Sequence, residues 1–375
     1  MADVAMASPA QPQQDMMKVA FIVRSTLYTV KGGDTVQVEE TVRALKEMNI
    51  RADIRLAKER IRYEEYDLLH FFNITRPADI LVHIRRSGKP YVVTPVWIDY
   101  SQYDKKHRTG MAGNLFKMLG QDQAEYVKTI GRYLLRRDAL PSIDYAWKGQ
   151  RRSIREVLEK TKCLLVNSEN EYADIARRFD VHPVYATVPN GINGDEYPQS
   201  ETANRENDLV LCAARIEGIK NQYNLIKALN NTRFRLVLAG APAPGHRVYY
   251  EKCRKIAADN ISFTGHLGRP ALQEQYAKAK VHVLPSWFEL CGLSSLEAAA
   301  MGCAVVVSPN GYAKDYFGND AFYCDPADPA SILDAVEQAA SAPANPYLSL
   351  KIKEQYNWKQ AAAKIAATYK KLLVD

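Results

Sequence analysis

Two series of alternating elements run along this chain, each joining short apolar runs to segments of helical periodicity. The first series opens with the strand-like run Lys18–Val23, and apolar residues then recur at helical spacing from Thr35 onward. Buried parallel strands are near-continuous apolar runs, and the crossover that joins two of them usually contains a helix. The alternation therefore predicts an α/β protein whose parallel sheets are covered by helices.

The same alternation predicts two domains with a hinge between them. The first series continues with strand-like residues 67–72, 90–94 and 163–168 and a helical segment at 78–87. The second series has strand-like residues 209–213, 234–238, 261–263, 281–284 and 304–307. The 375 residues exceed what one hydrophobic core usually serves. Because residues 188–207 are rich in turn formers, we predict an N-terminal domain at 16–190, a hinge at 191–207 and a C-terminal domain at 208–356.

The ends and the composition indicate a cytoplasmic protein. Residues 1–15 lack the basic start and the apolar stretch of a signal peptide, so we expect a disordered leader or tag. No run approaches the roughly 18 apolar residues that a membrane-spanning helix needs. The cysteines show no C-x-x-C spacing, which favours buried thiols over structural zinc. They are Cys163, Cys212, Cys253, Cys291, Cys303 and Cys324.

Positive charge is concentrated in one region, residues 100–162. The net charge of the chain is +7, and this region alone accounts for that excess of cations. It could attract an anionic membrane surface at the inner face of the membrane, or an acidic acceptor. A solvated helix face is an equally good interpretation. The arginines concerned are Arg132, Arg136, Arg137, Arg151, Arg152 and Arg155.

Residues 284–307 carry the most informative pattern, which reads as strand, glycine turn, helix, glycine stop and strand. Gly292 permits a close approach of the backbone in the turn. The N–H groups that follow it would face a diphosphate with the favourable end of the helix dipole. Those amides belong to Leu293, Ser294 and Ser295.

Two glutamates flank this turn. Glu289 lies in the turn and Glu297 about one turn inside the helix, so both can border one crevice at the carboxyl end of the sheet. A carboxylate only accepts hydrogen bonds, which suits the hydroxyls of a ribose and a hexose. Alternatively, Glu289 and Glu297 are solvated surface residues that bind no ligand. The glycine turn between them makes that interpretation less favoured.

Cations for a phosphate group follow the first strand of the second series. Arg215 and Lys220 lie just past this strand, at the edge of the sheet where the crevice is expected. A guanidinium and an ammonium can stabilise the charge on a departing diphosphate, a role that a divalent metal fills in other enzymes. An Arg and a Lys near a turn are weak support by themselves, and the Glu289 turn strengthens the interpretation.

The first domain offers a glycine loop and little else that is specific. Lys31-Gly-Gly-Asp-Thr35 joins the first strand to the first helix and could bring backbone amides against phosphate or acceptor. The chain contains no G-x-x-x-x-G-K-[ST], G-x-G-x-x-G or H-E-x-x-H, so P-loop, dinucleotide and zinc-protease sites lack their residues. His70, His83 and His282 lie in element-like runs, where we expect structural histidines whose hydrogen bonds are satisfied.

Together these motifs resemble the family 4 retaining glycosyltransferases of GT-B architecture, and the resemblance spans nearly the whole chain after residue 15. Glu289 and Glu297 match the E-x7-E signature of that family. Residues 188–192 resemble its interdomain motif, and Arg215 and Lys220 match its diphosphate-contacting pair. The resemblance implies two Rossmann-like domains that face a central cleft, with a last helix at 357–375 that returns to the first domain.

The resemblance also implies the role of each residue. Glu289 would bind the transferred sugar, with Arg215 and Lys220 as its catalytic companions at the diphosphate. Glu297 would bind the ribose. The remaining donor-binding residues would be Gly33, His266, Leu267, Gly292, Leu293 and Ser294. The reaction would retain the anomeric configuration without a metal or other cofactor, and the absence of a D-x-D motif agrees.

The acceptor remains open at this point. The histidine that the family often carries after a first-domain strand is missing from residues 94–99. We expect a hexosyl transfer from a nucleotide sugar to a glycan or a lipid-linked acceptor, in the synthesis of envelope polysaccharide or lipopolysaccharide. No nucleic acid partner is implied. A nucleotide-sugar epimerase of the same architecture and a noncatalytic nucleotide-sugar-binding protein are the alternatives.

Overall fold

The computed structural model describes residues 16–99, 143–198 and 205–374, together with 123, 126 and 131. Within these ranges the first sheet has six strands, all paired in parallel, in the order β2-β1-β3-β4-β5-β6. The strands are β1 (Lys18–Val23), β2 (Arg51–Leu56), β3 (Leu68–Phe72), β4 (Tyr91–Thr94), β5 (Cys163–Val166) and β6 (Tyr185–Thr187). The helices are α1 (Gly33–Glu47), α2 (Pro77–Ser87), α3 (Ile143–Lys160) and α4 (Glu169–Phe179).

The second sheet is also parallel, in the order β12-β11-β10-β7-β8-β9. Its strands are β7 (Glu206–Ala213), β8 (Arg235–Ala239), β9 (Ile261–Gly265), β10 (Ala279–Leu284), β11 (Ala304–Val307) and β12 (Phe322–Tyr323). The helices that follow are α5 (Gln222–Leu229), α6 (Arg247–Ile256), α7 (Arg269–Lys278), α8 (Leu293–Ala300), α9 (Ala313–Phe317), α10 (Pro329–Ser341), α11 (Pro346–Gln355) and α12 (Trp358–Val374). The predicted α/β class, with two Rossmann-like parallel sheets, is confirmed.

Each sheet reverses its strand order at one point. In the first sheet, β1 lies between β2 and β3, and in the second sheet β7 lies between β8 and β10. Parallel α/β sheets open a crevice where the order reverses, because the connections leave in opposite directions there. The loops after β1, β3, β7 and β10 are therefore the ones placed to build a site.

Three strands of the structure were missing from the sequence prediction, and all three lie at sheet edges. The strand β2 reads Arg-Ala-Asp-Ile-Arg-Leu and is only half buried, so it lacks a continuous apolar run. Strand β6 has three residues and β12 has two. Edge strands face solvent on one side and are often short, which removes the apolar signal that identified the central strands.

The chain crosses between the two domains twice, and the two crossings lie side by side. Ile192 pairs with Asn357 in an isolated parallel bridge, and a Cβ on Gly191 would lie 2.5 Å from the Asn357 Cα. Beyond this crossing, Trp358 and Tyr369 of α12 are buried in the core of the first domain. The last helix therefore packs on the first domain, and a glycine is required at the crossing.

Much of the basic region lies outside the described residues, including Arg132, Arg136 and Arg137. In its described part, Arg151, Arg152 and Arg155 are exposed on α3. Within the described ranges, no helix is both long and apolar enough to span a bilayer. All six cysteines are free and buried.

The three histidines of the strand-like and helical runs are buried, but they differ in their partners. His70 bonds the hydroxyls of Tyr369 and Thr94 at 2.6 and 2.8 Å. His83 bonds the Tyr63 hydroxyl at 2.8 Å and a backbone carbonyl. The prediction of a satisfied histidine is wrong for His282, because neither of its ring nitrogens has a hydrogen-bond partner in the described part of the chain. Its position in β10 between apolar neighbours explains this.

Candidate functional site

One large cleft separates the two sheets and is lined by the loops at the carboxyl ends of their strands. Both domains contribute, the first through the loops after β1, β3 and β4, the second through those after β7 to β10. The ten residues predicted for the site all line this cleft: Gly33, Arg215, Lys220, His266, Leu267, Glu289, Gly292, Leu293, Ser294 and Glu297. The structure thus brings together residues that lie up to 264 positions apart.

The turn before α8 has the geometry that an anion site requires. Gly292 has a φ of +69°, which favours glycine, and it caps the helix that begins at Leu293. First-turn amides have no acceptor inside their own helix, so those of Leu293 and Ser294 are available to a ligand in the cleft. Ser295 was expected to offer a third amide, and this is wrong. Its N–H donates to the Gly292 carbonyl at 2.8 Å.

Glu289 is held in place by both its backbone and its side chain. Its carbonyl accepts from the Tyr312 amide at 2.8 Å, and its carboxylate accepts from the Ser286 hydroxyl at 2.7 Å. A Cβ on Gly311 would lie 2.1 Å from the Glu289 carbonyl oxygen, at a φ of +93°. Gly311 is therefore required for the backbone of Glu289 to lie where it does.

The neighbours of Glu289 anchor its loop to the other domain. Phe288 and Leu290 pack against the apolar core of the first domain, and the Tyr312 hydroxyl donates to Asp174 of α4 at 3.2 Å. The loop that carries this glutamate is consequently clamped between the two domains.

Lys220 and Glu289 form an ion pair in the cleft. Lys220 ends a 3₁₀ turn after β7, and its side chain is 22% exposed. Burial acts to lower the pKa of the Lys220 ammonium, but the adjacent Glu289 carboxylate outweighs this effect and the pKa is raised. Lys220 is therefore a permanent cation at neutral pH, even in the cleft.

Arg215 reaches from the second domain to the first. Its Nη1 donates to the carbonyl of Lys31 at 3.0 Å, and its Nη2 donates to Glu217 at 2.9 Å. Gly32 lies beside this contact, where a Cβ would come within 3.6 Å of the guanidinium. The glycine loop predicted in the first domain thus meets the predicted cation of the second.

Glu297 is half-buried beside two tyrosines. The Tyr276 hydroxyl donates to its Oε2 at 2.9 Å, and the Tyr197 hydroxyl is a second hydrogen-bond partner. Burial raises the pKa of the Glu297 carboxyl, whereas the two tyrosine hydroxyls oppose that rise. Neither tyrosine was found by sequence reasoning, because nothing in their surroundings marks a polar contact with residue 297.

An arginine that sequence reasoning missed shapes the glycine loop. Arg24 pairs with Asp34 through two bonds of 2.6 and 3.0 Å, and it also donates to the carbonyls of Thr26 and Val30. These bonds fold the residues between β1 and α1 into a fixed loop. The loop places Gly33 against Leu293, where a Cβ would lie 3.7 Å from the leucine Cδ1. In the sequence, an arginine and an aspartate ten residues apart on either side of the loop could have indicated this ion pair.

The rest of the first-domain wall contains two residues in the left-handed region. Asn73 has a φ of 71° after β3, and Val96 has a φ of 47° after β4. A β-branched residue rarely adopts this conformation. The neighbouring Trp97 amide donates to the buried Glu171 carboxylate at 2.8 Å, which holds the strand end in place.

Glu171 is fully buried behind this wall. Burial raises the pKa of its carboxyl to about 7, although the amides of Trp97 and Asn167 and the side chain of Asn167 act to lower it. No sequence pattern marks this residue, because it lies in an ordinary amphipathic helix.

His266 and Leu267 lie at the far end of the cleft, in the segment between β9 and α7. His266 is exposed and Leu267 is half buried. In the described ranges, no group of three His, Cys, Asp or Glu side chains is arranged to hold a metal ion. The polar groups assigned to a ligand are the two carboxylates, the two cations and the first backbone amides of α8. Other charged side chains, among them Lys31, Asp34 and Lys252, also line the cleft.

Residues 193–366 match the family model described as glycosyl transferases group 1. The matched residues include the charged loops and the glycine turn of the cleft. Residues 193–366 therefore belong to the group 1 glycosyl transferases, and the two facing parallel sheets have the GT-B fold. The resemblance drawn from the E-x7-E motif is thereby confirmed at the level of family and fold.

Known proteins with GT-B architecture resemble this chain along most of its length. Sucrose-phosphate synthase from Thermosynechococcus elongatus has 16% sequence identity and a TM-score of 0.73, covering 96% of this chain and 99% of that one. The Anabaena protein HepE, solved with UDP and glucose, has 13% identity and a TM-score of 0.65, covering 95% of this chain and all of that one. At these identities the likeness shows the fold alone.

A D-inositol 3-phosphate glycosyltransferase from Kribbella flavida is 28% identical over 179 residues. The match covers 42% of this chain and 42% of that protein. The matches to the curated relatives cover between 42% and 58% of those proteins, so the chain spans about half of their length.

Proposed function

We propose that this protein is a retaining, metal-independent glycosyltransferase that moves a sugar from a nucleoside diphosphate sugar to a separate acceptor. One observation carries the proposal. Lys220, Glu289 and the free amides of Leu293 and Ser294 line one cleft, where they can surround a sugar diphosphate. That set provides binding for a diphosphate, for sugar hydroxyls and for developing negative charge.

In the proposed reaction the bond between the sugar and the diphosphate breaks, and negative charge grows on the leaving phosphate. The Leu293 and Ser294 amides bind the diphosphate, and the cations Arg215 and Lys220 stabilise the growing charge. Lys220 has three N–H donors. It can keep one bond to Glu289 while donating to phosphate oxygens.

Glu289 accepts hydrogen bonds from the hydroxyls of the transferred sugar, and Glu297 accepts them from the ribose. The family resemblance supports retention, by a path in which the acceptor attacks from the face that the diphosphate leaves. The leaving phosphate oxygen then takes the proton of the acceptor hydroxyl. A proton NMR time course of the product would report its anomeric configuration, and an inverted product would contradict this path.

Metal independence rests on the two cations in the cleft. In this proposal they take the role that a divalent ion would otherwise have at the diphosphate, and we expect full activity after dialysis against EDTA. A matched sample with added Mg²⁺ serves as the control. Activity that disappears on chelation and returns with Mg²⁺ or Mn²⁺ would contradict the proposal.

The donor and the two alternatives can be separated in one series of experiments. Ligand binding to the folded state raises the melting temperature, so a thermal-shift screen of UDP, GDP and ADP sugars identifies the donor. Incubation with that donor alone then tests for an epimerase, which would convert it without an acceptor. A binding protein would raise its melting temperature and show no turnover with any acceptor.

We further propose a glycan or lipid-linked acceptor in envelope polysaccharide or lipopolysaccharide synthesis, with the protein at the inner membrane face. The support is the basic region, whose described part contains the exposed Arg151 and Arg152 and, four residues before Arg151, Trp147, which is 85% exposed. Aromatic rings and cations together favour an anionic lipid surface.

Sedimentation with vesicles tests this membrane proposal. The protein should sediment with anionic vesicles at low salt and not with zwitterionic ones. Replacement of Arg132, Arg136 and Arg137 by Ser should weaken that binding, at about 1 kcal/mol for each well-placed cation. A native protein that ignores anionic vesicles would exclude it.

A further inference from the structure

The two tyrosines at Glu297 come from different parts of the fold. Tyr276 lies in α7 and is fully buried. Tyr197 follows the 3₁₀ turn Gly194–Glu196, in the segment that joins the two domains, and is 5% exposed. Their hydroxyls meet at one carboxylate, which faces the cleft from α8.

We propose that Tyr197 and Tyr276 are positioning residues for Glu297, which orient its carboxylate toward the ribose of the donor and keep it ionised. The segment between the domains then takes part in donor binding, in addition to connecting the sheets. This inference rests on the proposed function, because it assigns the ribose contact to Glu297.

The chemistry of the three groups supports this assignment. An ionised carboxylate only accepts hydrogen bonds, so both hydroxyls must donate to it. Burial, together with the nearby Glu297 charge, raises the pKa of Tyr276 well above its usual range. The hydroxyl therefore keeps its proton over the whole accessible pH range, and the same holds for Tyr197, whose pKa is also raised by burial.

Two side chains of opposite charge also act on the Glu297 carboxyl. Arg269 of α7 lowers the pKa of the Glu297 carboxyl, whereas Glu196 raises it. These two side chains pair with each other at 2.5 Å, so their effects on Glu297 largely oppose one another. The tyrosine hydroxyls are then the main groups that counter the effect of burial.

The joining segment is fixed to α7, which explains how Tyr197 can hold a defined position. Besides the ion pair with Arg269, the Gln273 side chain donates to the Glu196 carbonyl. On the other side, Asn193 donates to Glu40 of α1 at 3.1 Å. The segment that carries Tyr197 is thus tied to both domains, while the Tyr197 ring packs in the core of the second domain, beside the predicted ribose contact.

The test uses Tyr197→Phe and Tyr276→Phe, which keep the ring and remove only the hydroxyl. UDP, GDP, ADP and CDP are titrated calorimetrically, and the tightest binder is measured from pH 5 to 8. Each variant should bind it about tenfold more weakly at the acid end, since a hydrogen bond to a charged group is lost. The pH at which affinity is lost should also move upward, because Glu297 without its donor is protonated more readily.

Two comparisons separate positioning from a merely structural effect. The 2′,3′-dideoxy form of the same nucleotide lacks the ribose hydroxyls, so it should bind the wild type and both variants equally. Tyr91→Phe removes another buried hydroxyl, which donates to the Val157 carbonyl at 2.8 Å far from the cleft, and should leave the titration unchanged.

The outcomes distinguish a failure of the proposed function from a failure of the positioning role alone. If none of the four diphosphates binds, the proposed function fails, and the inference fails with it. If a diphosphate binds and Glu297→Gln weakens it, but both tyrosine variants match the wild type at every pH, only the positioning role is wrong. Equal weakening of the ribo and dideoxy forms would likewise overturn that role.

Discussion

The two walls of the cleft are built at equivalent places and by different means. Each lies where a parallel sheet reverses its strand order, after β1 and β3 in the first domain and after β7 and β10 in the second. The second wall presents charged side chains, among them Lys220 and Glu289. The first wall presents a glycine loop and two residues of unusual backbone conformation, Asn73 and Val96.

This difference follows from what each wall is proposed to bind. A diphosphate and its ribose carry fixed charge and hydroxyls, which require particular side chains at particular spacings. The opposite wall would hold an acceptor, and its shape depends on backbone held from behind by buried groups such as Glu171. Side-chain chemistry is visible in a sequence, whereas backbone shape of this kind is not.

The largest expected effect lies in the second wall. Lys220→Ala removes a cation whose contribution grows as the bond to phosphate breaks, so kcat should fall more than donor affinity. We expect a loss of about 2 to 4 kcal/mol, or roughly 30- to 1,000-fold in kcat, as for other preorganised charge-stabilising groups. Steady-state kinetics and donor titration on the purified variant measure both quantities.

Two further variants complete that measurement. Glu297→Ala should mainly weaken donor binding, because a ribose contact is made before and during the reaction. Lys278→Ala changes an exposed lysine at the end of α7 and should behave as the wild type. A native turnover rate in Lys220→Ala would mean that the leaving-group site has been assigned wrongly.

In the first wall, the expected effect is on stability and depends on pH. The pKa of Glu171 is about 7 in the folded protein, above its ordinary 4.5, so the folded state binds the proton more tightly between these values. Stability should therefore fall as pH rises through this window, by up to about 3 kcal/mol. Urea denaturation of the wild type and of Glu171→Gln at pH 5 and pH 8 measures the difference.

The variant cannot ionise at position 171, so its free energy of unfolding should fall less between pH 5 and pH 8. Other titrating groups are common to both proteins and cancel in the comparison. If the two proteins have parallel pH dependences, the pKa of Glu171 is the same in the folded and unfolded states. Burial of Glu171 behind the first wall would then not raise its pKa.

Sequence patterns predicted the fold class, the central strands and the residues that line the second wall. They did so because buried parallel strands are apolar runs and because Arg215, Lys220, Glu289 and Glu297 lie in the loop or the first helical turns that follow such runs. Three of the four edge strands, β2, β6 and β12, were missed because they are short or half polar. Tyr197 and Glu171 were missed because their contacts are made by packing between distant segments, which leaves no local pattern.

A glycine variant tests whether backbone placement also matters in the second wall. Gly311→Ala would put a methyl group 2.1 Å from the Glu289 carbonyl and so displace that residue. A shift of about 1 Å at a catalytic group can lower the rate by up to about 100-fold. We therefore expect kcat to fall by about 10- to 100-fold. Assays of the folded variant measure it.

The matched control is Gly88→Ala, at the end of α2. Gly88 has a φ of +61° and open space around it, so this variant meets only the backbone strain of about 1 to 2 kcal/mol. It should lose stability and keep its kcat. If both variants have the same kcat, the position of Glu289 does not depend on Gly311.

The smallest effect concerns the buried histidines, one in a central strand of each sheet. Burial lowers the pKa of both His70 and His282 to about 3, so both are neutral at physiological pH. His282→Leu removes a buried polar ring with no hydrogen-bond partner among the described residues and should raise the unfolding free energy by about 1 kcal/mol. His70→Leu leaves the hydroxyls of Tyr369 and Thr94 without their partner and should lower it by about 1 to 3 kcal/mol. Thermal and urea unfolding of the two variants compare them directly. If both substitutions destabilise the protein, His282 makes a polar contact in solution. The two buried histidines would then both have hydrogen-bond partners.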